Sequence, residues 1–112
     1  MTIPLVEQVA NLHSAQIAAV EVLGRLPQLG DHARLDVDAV RPLLTVHLLF
    51  CSLAEAEDIA RVLGLGPRRS SLTYHDEHSK WSGSVADFPV TLLRVELGAG
   101  RARGQSAARV RP

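Results

Sequence analysis

Four ionisable side chains in a row, His75–Asp76–Glu77–His78, are the densest chemistry in the chain. Two histidines and two carboxylates are ligands that zinc or a similar ion accepts. The run has no partner motif elsewhere, and a His-x-x-His spacing beside a turn does not fix where its rings point. It reads as a solvated hairpin turn. Cys51, the single cysteine, has no intramolecular disulfide partner and closes an apolar strand, which makes it a buried, inert thiol. It lacks a polar neighbourhood, and the serines have no nucleophile-elbow context, so nothing points to covalent catalysis.

The other reactive-looking set is cationic. Arg101, Arg103, Arg109 and Arg111 follow Glu96 with no acid between or after them. Such a run neutralises phosphates without sequence preference. No helix-turn-helix or zinc finger accompanies it, and Trp81 and Tyr74 alone do not make an aromatic platform. The set reads first as a solubilising tail and second as a nucleic-acid contact.

These residues need elements to position them, and the hydrophobic pattern supplies a set. Pro4 suits a first helical turn, with Glu7 inside that turn. From Leu5, two rows recur at helical spacing: Val9, Leu12, Ala19, Leu23 and Leu26, beside Val6, Val9, His13, Ile17 and Val20. Ala15, Ala18 and Val22 lie on the flank. The stripe is wider than a surface helix needs, which predicts a helix deep in a groove or packed on a second copy of itself. Val9, His13, Ile17 and Val20 are the expected interface residues, with His13 either an edge residue or a pH-sensitive contact.

Ala33–Asp38 alternates as a half-buried strand. Leu43 to Cys51 is nearly all apolar and reads as a central strand, with Leu44, Val46, Leu48 and Phe50 on one face and His47 amid the other. Ser52–Glu55 forms a capping box for a helix that buries Leu53, Ala56, Ile59, Ala60 and Leu63 and ends at Gly64, Gly66 and Pro67. Three strands follow: Ser70 to Glu77, Trp81 to Ala86, and Val90 to Leu97, with turns at 78–80 and 87–89. The expected fold is α+β, in the order αββαβββ, with a mostly antiparallel sheet of about five strands and both helices on one face. Residues 1–97 form the single domain, and 98–112 a flexible Arg-rich tail.

A strand, a helix and three strands, with His47 in the first strand and Glu96 in the last, resembles a single module of the vicinal oxygen chelate superfamily of glyoxalases and ring-cleaving dioxygenases. The segment from Val46–His47–Leu48 through Leu63–Gly64–Leu65 has that family's rhythm. The resemblance implies that His47 and Glu96 ligate a divalent metal and that paired modules form a cup. This chain holds one module and an added N-terminal helix, so a complete cup would take two chains. If Leu44, Val46 and Leu48 face the helices together with Leu93, Val95 and Leu97, then His47 and Glu96 share the opposite surface, where His75 could join them. Arg94 would then compete with a cation for Glu96, which favours an Arg94–Glu96 network without metal.

Bulk composition limits the function classes. At 112 residues the chain has room for one core, and it should bury roughly two-thirds of its unfolded surface. Net charge is zero, with 46% hydrophobic residues, so the whole molecule is not a polycation. The halves differ: residues 1–67 carry eight acidic and four basic side chains, and residues 68–112 carry four and eight. Lys80 is the only lysine and Asn11 the only asparagine, a bias that suits a high-GC bacterial genome. Glu7, Gln8, Asn11 and His13 interrupt the N-terminal apolar residues too early for a signal peptide or a membrane span, so a cytoplasmic location is expected. The chain is therefore read as a cytoplasmic homodimer that acts by binding, not by catalysis, with no cofactor; a divalent metal belongs to the chelate alternative.

Overall fold

The computed structural model describes residues 3–49 and 51–98. Phe50 and the tail arginines Arg101, Arg103, Arg109 and Arg111 lie outside the described residues. Helix α1 spans Leu5–Arg25 and is followed by a short 3₁₀ turn, Pro27–Asp31. Strands β1 (Ala33–Asp38) and β2 (Leu43–Leu48) form a hairpin, helix α2 runs Leu53–Val62, and β3 (Arg69–Leu72), β4 (Glu77–Val85) and β5 (Phe88–Glu96) complete the sheet. The class is α+β, and the sheet is mostly antiparallel in the order β1-β2-β5-β4-β3. One pair, β2 with β5, is parallel and sits at the centre.

Local chemistry explains the ends of the elements. The Ser52 hydroxyl accepts from the Glu55 amide, and the Glu55 carboxylate accepts from the Ser52 amide, closing the expected capping box on α2. At the far end Leu65 N–H reaches Ala60 O and Gly64 N–H reaches Arg61 O, while Gly64 takes φ of 70°. These two bonds satisfy carbonyls that the last helical turn leaves open, in the Schellman pattern. The β4–β5 hairpin turns on Ala86 and Asp87, both with positive φ (50° and 62°). That left-handed pair matches the twist of the flanking strands. The turn therefore falls at 86–87 and not at 87–89, and Pro89 sits inside β5.

A second boundary differs from the sequence reading. β3 ends at Leu72, and the chain reverses over Thr73–Asp76, where the Thr73 hydroxyl accepts from the Asp76 amide and donates to the Asp76 carbonyl. His78, Ser79 and Lys80, read as a turn, belong to β4 instead. The threonine's side-chain bonds compete with strand pairing at this point and win.

Every buried sheet side chain lies on one face. Leu44, Val46 and Leu48 of β2 align with Val90 and Leu92 of β5, and these with Trp81 of β4. Ala15, Ala18 and Val22 of α1 and Ala56, Ile59 and Ala60 of α2 join them in one cluster, so both helices cover that face. Trp81 is its largest member, and its indole N–H donates to Glu57 of α2.

Small residues make the close contacts. A Cβ on Gly83 would stand 2.9 Å from a Leu65 methyl and 3.3 Å from its Cα. The loop after α2 thus crosses β4 at a position where no side chain fits, and Gly66 N–H bonds Ser82 O at 2.8 Å there.

Candidate functional site

The sheet separates the residues expected to hold a metal. β5 pairs in parallel with β2 so that Val90 and Leu92 stand beside Leu44 and Val46, on the helix side. Leu93 and Val95 therefore take the other face, beside His47, and Arg94 and Glu96 turn toward the helices. His47 and Glu96 lie on opposite faces, contrary to the shared surface set out above. The reason is the register: Val90 and Leu92 are as apolar as Leu93 and Val95, and contact with the helices decides between them. His75 sits in the exposed 73–76 turn, edge-on to the Tyr74 ring at 4.5 Å, and joins neither of the other two. Among the described residues no three His, Cys, Asp or Glu side chains gather as a metal site.

Each member of that set has another contact. His47 Nε2 lies 2.6 Å from Asp36 on β1, and the same carboxylate is 3.6 Å from Arg34. Arg94 is nearly buried and donates to Cys51 O at 2.7 Å, with Glu96 at 3.7 Å. The Arg94–Glu96 contact exists, but it lies on the covered side and its stronger bond ties β5 to the entry of α2. Sequence reasoning missed that role, because Cys51 and Arg94 are 43 positions apart. A further polar cluster lies under α2: Arg68 stands 3.7 Å from Glu57 and reaches the buried Ser79 hydroxyl at 3.4 Å. It holds β4 to the helix.

Cys51 lines a groove of about 410 Å³ between the 3₁₀ turn and α2, with Leu29, His32, Leu48, Ile59 and Val62. Burial pushes its thiol up, and the nearby Glu55 carboxylate adds to that. A thiol held protonated is a poor nucleophile, so Cys51 adds no activated group to the groove, whose wall also carries Gln28, Glu55 and Asp58. Asp38 is the opposite case. The Arg41 and Val40 amides donate to its carboxylate and hold it below its ordinary range, which fixes the β1–β2 turn.

The exposed apolar surface is on α1. Ala15, Ala18 and Val22, expected on its flank, are the residues that face the sheet. The two large-residue rows are turned outward: Leu5, Val6, Val9, Leu12, Ile17, Val20 and Leu23 are all about half exposed or more, with Val6 at 77% and Val20 at 66%. His13 is exposed among them. Asn11 anchors the helix from the covered side, donating to Ala39 O at 2.8 Å. On its β1 flank the helix borders an apolar groove of about 240 Å³ whose walls include Val20, Leu23, Ala33 and Leu35. Leu35 and Val37 on β1 are themselves exposed at 46% and 42%, so the apolar surface continues from the helix onto the sheet edge.

No helix among the described residues is long and apolar enough to cross a membrane. No protein-family model, curated protein or solved structure matches the chain.

Proposed function

We propose that this protein is a small interaction protein of the bacterial cytoplasm that works as a homodimer and acts by binding. The observation that carries the reading is the outward apolar face of α1, seven large aliphatic side chains on one helix. Single exposed aliphatics are ordinary, but a contiguous set of this size marks an interaction surface. The inner face of the same helix supports the reading. It packs through alanines and Val22, which seat the backbone close to the sheet and leave every large side chain for another partner. Val9, His13, Ile17 and Val20 sit at the middle of that face.

Sedimentation velocity on the full chain tests the proposal. A dimer is expected at micromolar concentration, and Val9→Ser with Val20→Ser should shift it to monomer with its circular dichroism unchanged. A monomer throughout the range to 100-fold higher concentration overturns it.

A further inference from the structure

The edge strand β1 carries more information about the partner than the helix does. Its pairing with β2 fixes the direction of every backbone group. Leu49 N–H donates to His32 O at 2.9 Å, and the two residues are opposite in the antiparallel register. Residues 32, 34, 36 and 38 therefore spend their amides and carbonyls on β2. Ala33, Leu35 and Val37 point theirs outward, along an edge that no other strand among the described residues pairs. An apolar edge with three residues of free backbone pairs readily with another strand.

The side chains select the strand. Antiparallel pairing of β1 with its own copy must oppose outward residues to outward residues, which allows three central registers. Centring on Arg34 sets Arg34 against Arg34 of the second copy. Centring on Asp36 sets two Asp36 carboxylates together. Centring on Leu35 sets Arg34 against Asp36 of the second copy, twice, and His32 against Asp38, twice. Those are the non-hydrogen-bonded positions, where side chains come closest, so charge acts most strongly there. On the helix side the same register joins Leu35 to its copy and Ala33 to Val37, and the dyad brings the outward faces of the two α1 helices to the same side of the sheet. The other edge, β3, fits poorly: it is four residues long and carries Arg69 next to Arg68.

We infer that two chains join through β1 in the register centred on Leu35, making one ten-stranded sheet with the α1 faces packed across the dyad. This rests on the homodimer reading above and specifies its geometry. Arg34 and Asp36 are both well exposed in the single chain, at 67% and 58% of their side chains, so the register takes neither from a buried role.

Two charge-reversed chains at low salt test the register. Arg34→Glu alone and Asp36→Arg alone each place like charges at both cross-dyad pairs, and each should raise its dimer dissociation constant at least tenfold. Mixed in equal amounts, the two variants oppose opposite charges at both pairs, and dimer should return as a heterodimer, read by sedimentation with one chain fluorescently labelled. The single variants separate the other two registers: centred on Asp36, Asp36→Arg exchanges a carboxylate pair for a guanidinium pair, and centred on Arg34 it only faces His32, so in neither would that variant alone weaken the dimer tenfold. Wild-type dimer with unaffected single variants, or with no recovery on mixing, overturns the register and leaves the homodimer standing. A monomeric wild type overturns both. Circular dichroism of each variant separates lost pairing from lost folding: single variants that are unfolded alone yet form no heterodimer count against the register.

Discussion

At the scale of single residues, two glycine-like positions make opposite demands. Gly83 is where the loop after α2 passes over β4, and any Cβ there meets Leu65. Gly83→Val should lower stability by about 1–3 kcal/mol, the usual cost of overpacking, seen as a reduced urea midpoint with unchanged slope. Ala86 is the reverse, an alanine at φ of 50°. An L-residue there costs about 1–2 kcal/mol, and glycine's extra unfolded freedom costs about 0.5–1. Ala86→Gly should therefore stabilise the hairpin by up to about 1 kcal/mol, and a lower midpoint would contradict the turn geometry. Neither position was legible in advance. Gly83 alternates with Trp81 and Val85 as any strand residue might, and its meaning comes from Leu65 in the loop after α2. The capping box at Ser52 was legible because both of its bonds lie within four residues.

At the scale of elements, the sequence specified existence better than orientation. β1 and the start of α2 fall where alternation and capping place them. The side on which an element is buried was another matter. In α1 the wide apolar stripe left open which part met the core, and Ala15, Ala18 and Val22, read as its flank, occupy that face at 3% exposure or less. A helix seated close to a sheet needs small residues, and periodicity does not distinguish a close face from an outward one. In β5 the two faces are nearly equal in hydropathy, and the wrong choice put Glu96 on the same side as His47. One comparison on α1 checks the assignment. Ala18→Leu inserts three carbons under the helix and should cost about 1–3 kcal/mol. Ile17→Ser, one position away, removes an aliphatic that the single chain leaves half exposed, and should change the stability of the isolated chain by less than about 0.5 kcal/mol. Reading both at sub-micromolar concentration, where association is minimal, isolates the fold. If Ile17→Ser proves the costlier change there, the inner and outer faces of α1 have been assigned the wrong way round.

At the scale of the whole molecule, the surface left over after one core is closed is what sets behaviour. The helix-covered face of the sheet is filled, while the opposite face mixes Thr45, Thr91, Ser82 and Lys80 with Leu93 and Val95 and holds ordinary solvent-facing pairs such as Ser82 with Thr91. The largest contiguous share of the exposed aliphatics lies on α1 and the β1 edge instead. A partner that binds only the folded chain stabilises it by mass action, so the melting temperature becomes concentration-dependent. For a dimer, each tenfold rise in chain concentration adds about 1.4 kcal/mol per dimer. Unfolding entropy is about 2.1 cal/mol/K per residue, and a pair of domains near 100 residues each gives about 0.4 kcal/mol/K. The melting temperature should thus climb by about 3 °C per decade of concentration, measured by differential scanning fluorimetry from 1 to 100 μM. Val9→Ser with Val20→Ser, which thins the outward face without touching the inner one, should flatten that slope. A wild-type melting temperature that stays constant over both decades would mean that the outward face of α1 takes no second copy of the chain.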